Sequence, residues 1–295
     1  MISIVLGSFM GDEGKGQTVH NICAKNPENS LVIRFSGGHQ VGHTVKYGDL
    51  MHTFSNFGSG TLLGVPTYWS EYCTVDPVTS TLEAMDLKKL GITPKIIYNP
   101  LCQVIVPFDV YYHMNSVYPS IDLDNWCRTV NAYFNTVQVS TLEAIWKDYD
   151  NLIFEGSQGI LLDQRFGIMP HCTPSNTTSQ NAHRILKQIG CNDTVTVNYV
   201  TRPYITRHGN GPFPSDKPVR PVVDPNNQFN DFQKSFRAIE FDPVLFRHSL
   251  NIDSMFSHDV RKKVIVTHWD EATDKDMFIR PNFELYIYEE YVRES

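Results

Sequence analysis

Apolar positions in this chain fall in short runs rather than long stripes. Ile2 to Leu6 is apolar except for Ser3 and ends on Gly7, the pattern of a strand buried on both faces that feeds a loop. Runs at Ser30–Phe35, Lys95–Tyr98, Asn151–Phe154, Thr194–Val200 and Lys263–Thr267 predict further buried strands, and Gln17 to Ala24 can be helical. Wide amphipathic stretches separate the runs. The predicted fold is therefore α/β, a mostly parallel central sheet flanked by helices. Proline and asparagine gather from Pro203 to Asn230, in Gly211-Pro-Phe-Pro and Val223-Asp-Pro-Asn-Asn, and predict a long functional loop. With no repeat, low-complexity tract or clear linker, residues 1–295 read as one domain.

Composition changes this picture only by exclusion. The chain has 295 residues, of which 41% are hydrophobic and 19% charged, so a folded globular protein is expected almost throughout. A formal charge of −7 argues against a broad nucleic-acid footprint, which needs clustered Lys and Arg. Cys23, Cys73, Cys102, Cys127, Cys172 and Cys191 are scattered, with no Cys-x-x-Cys pair, and read as free thiols in a reducing compartment. No apolar run approaches the ~18 residues of a membrane span. The expectation is a soluble cytoplasmic protein whose partners are small molecules, without nucleic acid or membrane.

Three glycine-rich segments follow predicted strands. In Gly11-Asp-Glu-Gly-Lys-Gly16 the strict Walker pattern is absent, because Gly16 follows Lys15 and Phe9 holds the first glycine position. Its parts still suit phosphate: glycines that let backbone N–H groups approach, a lysine, and a helix N-terminus behind them. Asp12 adds a carboxylate able to bind Mg2+ or take a proton. A glycine-rich turn with solvated charges is the bland alternative.

The second segment runs from Phe35 through Gly37-Gly-His-Gln-Val-Gly-His-Thr44. His39 and His43 have helical spacing for a metal pair, but Gly42 makes a helix doubtful and no third ligand is evident. A general acid or an oxyanion donor suits them better. The third is Phe154-Glu-Gly-Ser-Gln-Gly-Ile-Leu-Leu-Asp163, in which Ser157 has the wrong offsets for a nucleophile elbow and Gln158 is placed to read a base. Cys172-Thr-Pro-Ser-Asn-Thr-Thr178 offers hydroxyls for phosphate contacts or for Asx and ST turns.

In this order the segments resemble the adenylosuccinate synthetase family. Gly11–Gly16 matches its glycine loop unchanged, residues 37–44 its Gly-Gly-His-Asn-Ala-Gly-His-Thr, and residues 154–163 its Phe-Glu-Gly-Ala-Gln-Gly-x-Leu-Leu-Asp, followed by Pro170 and Ser175–Thr178. Thr206-Arg-His-Gly-Asn-Gly-Pro-Phe-Pro214 matches a fourth signature. The resemblance implies a P-loop-NTPase-like fold and a carbon–nitrogen ligase with Mg2+ and ATP or GTP as phosphate donor. It implies that Asp12 deprotonates the purine and binds the metal, and that His43 donates to the transferred phosphate. The purine 6-oxygen attacks the γ-phosphate, and aspartate displaces the resulting 6-phosphoryl group.

By the same resemblance, Gly11, Glu13, Gly14, Lys15, Gly16, Gly42, Thr44 and Asp270 hold the nucleotide, with the Gly42 carbonyl facing the metal. Gln40, Gln158, Thr173 and His208 join Asp12 around the purine, Gln158 counting with the catalytic set. Arg237 clamps the substrate aspartate, although Arg237-Ala-Ile-Glu-Phe-Asp242 lacks a family glycine. Family members are homodimers, which implies a dimer here.

Departures point to a branch. The chain is short, lacks the family's Thr-Thr-Gly-Arg-Gly phosphate grip, has no glycine from Cys127 to Val137, carries His20 for Asp and Gln40 for Asn, and reduces the arginine-rich aspartate loop to Lys234-Ser-Phe-Arg237. These features resemble the short archaeal and phage branch, including the phage members that use dGMP to supply 2-aminoadenine for DNA. The resemblance thus implies aspartate joined to dGMP, giving 2-amino-2′-deoxy-N6-succinyladenylate. An ordinary enzyme acting on IMP with GTP, and a nucleotide-binding regulator without catalysis, are the alternatives.

Overall fold

A computed structural model describes residues 1–105, 123–222, 235–272 and a strand at 284–287. Within it, nine strands form one sheet: β1 (Ile2–Gly7), β2 (Ser30–Arg34), β5 (Thr67–Trp69), β7 (Ile96–Tyr98), β9 (Gln138–Val139), β10 (Asn151–Glu155), β11 (Val195–Thr201), β15 (Arg261–Val266) and β16 (Glu284–Ile287). Their order is β16-β15-β11-β1-β10-β2-β5-β7-β9, and every neighbouring pair is parallel. The predicted parallel α/β sheet is thus observed.

The apolar runs became the central strands because both of their faces are covered. In β1, Ile2, Ile4 and Leu6 enter a core beside Ile33, Phe154, Tyr199 and Ile185, while Val5 points the other way to meet Val19 and Ile22 of helix α1 (Lys15–Cys23). This alternation is the period of two expected of a strand. Helix α1 begins two residues before the predicted stretch, directly on the glycine loop.

The loop expected at Pro203–Asn230 is corrected in its described part. Tyr204–His208 (β12) and Val219–Arg220 (β13) are strands that flank β14 (Phe236–Glu240) in a separate antiparallel sheet. Pro203 stands just before β12 and removes no ladder hydrogen bond, which is why proline did not exclude a strand. Val223-Asp-Pro-Asn-Asn and Lys234 lie outside the described residues.

Remaining short strands form two small sheets: an antiparallel hairpin of β3 (His43–Tyr47) and β4 (Leu50–Phe54), and a parallel pair of β6 (Thr74–Val75) and β8 (Gln103–Val104). The glycine-free stretch from Cys127 falls in a helix, Leu123–Phe134. Its Tyr133 hydroxyl lies 2.6 Å from those of Ser80 and Tyr98, so this segment packs on the sheet as a helix. Among the described residues the cysteines are free, and no helix is long and apolar enough to cross a membrane.

Candidate active site

The three glycine-rich segments converge where β1, β10 and β2 lie side by side, because each follows the carboxyl end of one of these strands. Such ends are where parallel α/β sheets bind ligands. The loop after β1 is held in an unusual shape, with left-handed backbone at Gly11 (φ 95°), Asp12 (φ 63°) and Gly14 (φ 93°). Three successive carbonyls are pinned by residues from distant strands. Thr206 Oγ1 donates to Gly11 O (2.9 Å), Arg202 Nε to Asp12 O (2.6 Å) and Thr267 Oγ1 to Glu13 O (2.7 Å). With these carbonyls engaged and no side chain capping α1, the N–H groups of its first turn remain the electropositive end of a helix.

Glu13 turns back into this loop. Its Oε1 accepts from Phe9 N (3.0 Å) and Gly11 N (2.9 Å), and its Oε2 meets Lys15 Nζ at 2.8 Å. Both side chains of that pair are almost wholly buried. Asp12 faces the other way, with 24% of its side chain exposed and Oδ2 3.1 Å from His208 Nε2. Burial pushes its carboxyl up, but the His208 hydrogen bond and the charges of His208, Arg202 and Lys15 outweigh this and hold it below the ordinary carboxylate value. Asp12 is therefore an anion near neutral pH.

Among the described residues no three His, Cys, Asp or Glu side chains cluster into a ready metal cage. The fit to Mg2+ is that of a single carboxylate beside a phosphate cradle, because Mg2+ takes most of its ligands from phosphate and water.

His43 opens β3 and packs on the first turn of α1: a Cβ at Gly16 would lie 2.9 Å from His43 Cβ. Its Nδ1 is 2.6 Å from Glu155 Oε1, at the end of β10, and its buried Nε2 has no partner. Burial lowers the pKa of this imidazole despite the opposing pull of Glu155, so the ring is neutral. Burial raises the Glu155 carboxyl, yet His43, Arg34 and Ser59 overcome it and bring it to about 2. The 2.6 Å contact couples the two groups, His43 lowering the carboxyl while Glu155 opposes the fall of the imidazole.

The loop after β10 presses against the loop after β1: a Cβ at Gly159 would stand 2.4 Å from Phe9 O, and one at Gly7 2.6 Å from Gln158 O. Glycine is needed at both positions to let the two backbones meet. Gln158 adopts φ 47° and keeps a buried Oε1 without a partner, a polar atom awaiting a ligand. Ser157 Oγ is 2.9 Å from Ser36 Oγ and is occupied in joining two loops.

The structure thus brings Asp12, Lys15, Gly16, His43, Gln158 and His208 together. Gln40 and Gly42 are exposed on the loop after β2, and Thr44 Oγ1 is 2.9 Å from Thr53 Oγ1 across the hairpin. Arg237 lies opposite Arg207 in β14, where its NH2 donates to Gly209 O and Gly211 O (2.5 Å each) beside the Phe213 ring. Thr173 is half-buried, its N–H bonded to Leu162 O, and Asp270 is exposed in the short turn after Thr267.

The hydroxyls of 175–178 are engaged within the protein, two of them tying this segment to other loops. Ser175 Oγ accepts from Gly37 N, Thr177 Oγ1 donates to Gly159 O and Thr178 Oγ1 to Asn176 Oδ1. Sequence reasoning missed Arg202, Thr267, Ser59 and the pairing role of Glu155. For Glu155 the available signal was a carboxylate closing an otherwise apolar strand.

Comparison with known proteins bears on the family and the fold. A family model described as adenylosuccinate synthetase matches residues 4–116 and 111–271. An adenylosuccinate synthetase of Methanococcus maripaludis is 28% identical, the match covering 89% of this chain and 80% of the relative. One of Clostridium botulinum is also 28% identical, covering 72% of this chain and 65% of the relative. Among solved structures, the cyanophage S-2L succinoaminodeoxyadenylate synthetase bound to dGMP and dATP superposes with a TM-score of 0.69 at 14% identity, covering 90% of this chain and 84% of that one. The fully ligated adenylosuccinate synthetase of Plasmodium falciparum gives 0.64 at 15% identity, covering 90% and 76%. These two likenesses bear on the fold; the family match spans most of the sequence, and the chain belongs to the adenylosuccinate synthetase family, whose members are carbon–nitrogen ligases.

Proposed function

We propose that this chain joins L-aspartate to the 6-position of dGMP, consuming ATP or GTP with Mg2+. The observation that carries the ligase reading is the division of labour between two histidine–carboxylate pairs on one phosphate cradle. In the first, a half-buried carboxylate faces outward as a base; in the second, a buried histidine presents an unpartnered nitrogen. Asp12, ionised at neutral pH, takes the N1 proton of the purine. The 6-oxygen then attacks the γ-phosphorus of the nucleoside triphosphate, the bond to the bridging oxygen breaks, and the diphosphate leaves. The aspartate amine next displaces phosphate from C6.

The α1 N-terminus and the N–H groups of Gly11 to Gly16 receive phosphate charge, and Lys15 exchanges part of its Glu13 contact for it. Glu13 acts here through its backbone, because its carboxylate holds the loop. Gln158 and His208 flank the purine with Gln40 and Thr173, and Arg237 meets the substrate aspartate carboxylate. Asp270 and Thr44 attend the donor nucleotide. When bound, Mg2+ neutralises charge on the transferred phosphate, with Asp12 and the Gly42 carbonyl as its protein ligands.

Preference for dGMP over IMP is supported by the fold likeness to a phage enzyme bound to dGMP and by the altered substrate-facing positions, Gln40 and the helix at 123–134 among them. The homodimer implied by the family belongs to the same proposal, and light scattering tests it. For the activity, the protein is incubated with Mg2+, aspartate and ATP or GTP, offering dGMP and IMP in parallel, and the succinylated product is followed by mass. Product from IMP alone overturns the dGMP reading; phosphate release without aspartate incorporation overturns the ligase.

A further inference from the structure

Asp12 carries a side chain yet holds a left-handed backbone, with φ 63°. For a residue with a Cβ that conformation is disfavoured, and it persists only where the surroundings fix it from several sides. The hydroxyls of Thr206 and Thr267 hold the carbonyls before and after it, those of Gly11 and Glu13. The carbonyl of Asp12 itself takes the shortest of the three bonds, 2.6 Å, from Nε of Arg202, a buried residue standing immediately after β11. This carbonyl belongs to the peptide that joins Asp12 to Glu13. Releasing it frees that peptide to rotate, and the Asp12 carboxylate then moves relative to Glu13 and α1.

A guanidinium is a planar fork, so placing one of its arms orients the others. The second arm of Arg202, NH1, donates to the Tyr204 hydroxyl at 2.9 Å, and the group lies 5.6 Å from the Tyr204 ring and 5.8 Å from that of Phe236. Tyr204 OH donates onward to Glu271 Oε1 (3.4 Å), in the turn Trp269–Glu271 beyond β15. Arg220 fastens that turn from a second side: its NH2 donates to Glu271 O (2.9 Å), and its guanidinium lies 4.6 Å over the same Tyr204 ring. One path of hydrogen bonds therefore runs from the turn after β15 to the backbone of Asp12, through a single hydroxyl and a single guanidinium.

We propose that Arg202 is a positioning residue for Asp12, with Tyr204 acting through it. The pair clamps the Asp12 carbonyl, keeps the residue in its left-handed conformation, and ties the aim of its carboxylate to the turn that carries Asp270. The catalytic meaning of the clamp rests on the reading of Asp12 as the base and of Asp270 as a donor contact; the clamp itself is a property of the folded protein. Arg202→Lys keeps the charge and loses the fork, since an ammonium does not hold Asp12 O and Tyr204 OH in one plane. Tyr204→Phe keeps the ring and loses the hydroxyl.

The test uses full-length protein in two measurements. Hydrogen exchange without ligands follows the amides of Phe9 and Gly11, which Glu13 Oε1 protects while the loop keeps its shape. Steady-state kinetics use the purine nucleotide that the parent turns over. In Arg202→Lys these loop amides are expected to exchange about tenfold faster while the amides of β1 and β10 hold. There kcat falls roughly 10- to 100-fold with KM for aspartate unchanged. Tyr204→Phe moves both readouts the same way by roughly 2- to 10-fold. Because both residues act on one clamp, the double variant should be no worse than Arg202→Lys alone.

An unchanged loop in Arg202→Lys overturns the positioning role, whatever the activity, and so does a loosened loop with full kcat. Single losses that multiply in the double variant remove Tyr204 from the path. Should Arg202→Lys speed exchange throughout the chain, Tyr204→Phe decides: a change confined to the loop supports the clamp, and an unaltered loop overturns it. Absence of succinylated product from the parent with every purine, alongside the expected exchange, overturns the ligase reading and leaves the clamp standing.

Discussion

Replacing Gly16 by alanine isolates the contact between the phosphate loop and His43. The built Cβ lies 2.9 Å from His43 Cβ, 3.1 Å from Ser59 Oγ and 3.3 Å from the His43 carbonyl carbon. Carbon atoms pack at about 3.5–4.0 Å, so His43 must retreat by roughly 0.5–1 Å. The substitution is otherwise mild. Gly16 lies inside α1 with no left-handed φ, its N–H is retained for phosphate, and alanine gains about 1 kcal/mol over glycine within a helix. That gain offsets part of an overpacking cost of about 1–3 kcal/mol, so the fold should lose at most about 2 kcal/mol.

Catalysis should lose more than stability does, because the displaced residue is the one held 2.6 Å from Glu155 with its second nitrogen unpartnered. A shift on the order of 1 Å in a positioned group costs about 10²-fold in rate. The expected result is a kcat near 1% of the parent, with dGMP affinity within a few-fold by titration calorimetry and a small drop in the urea midpoint. Full kcat in a folded Gly16→Ala protein would refute the placement of His43 against the reacting phosphate.

Other perturbations address the remaining groups. Asp12→Asn keeps the shape of the loop, whose carbonyl contact to Arg202 is unaffected, but removes the base; single-turnover formation of succinylated product should fall by roughly 10²-fold or more. Preserved turnover would reassign the proton acceptor. Arg237→Ala should raise KM for aspartate at least about tenfold while KM for purine changes far less, and an unchanged aspartate KM removes the clamp role. In the pH dependence of stability, His20 and His43 are bases whose burial lowers their folded pKa, so their contribution is present above the unfolded value of 6.5 and is lost as pH falls below it. Glu155 adds a second loss, between its unfolded 4.5 and about 2. Urea unfolding at pH 7.5 and 5.5 should therefore show a smaller acid penalty in His20→Gln than in the parent; an equal penalty would exclude His20 as a source.

What the sequence made legible follows the range of the interactions involved. β1, β2, β10, β11 and β15 were readable because burial on both faces writes an apolar run directly into the chain. Thr67–Trp69 and Gln138–Val139 carry too few residues to show a period, and they are strands because neighbours offer them an edge. The glycine loop was legible from its spacing, but its conformation was not. That conformation depends on Thr206, Arg202 and Thr267, which lie 195, 190 and 254 residues from the carbonyls they hold.

The same distinction divides the two histidine–carboxylate pairs. Asp12 and His43 stand in segments whose glycines announce a site, whereas Glu155 meets His43 across 112 residues and looks, in one dimension, like the polar end of a strand. Sheet order turns that separation into adjacency. Because β10 lies beside β2, a carboxylate at its end reaches His43 and Ser59, both of which follow β2 in the chain. Its pairing is therefore a consequence of topology: Gln at position 155 preserves every apolar pattern in the chain and removes only the charge that faces His43 Nδ1.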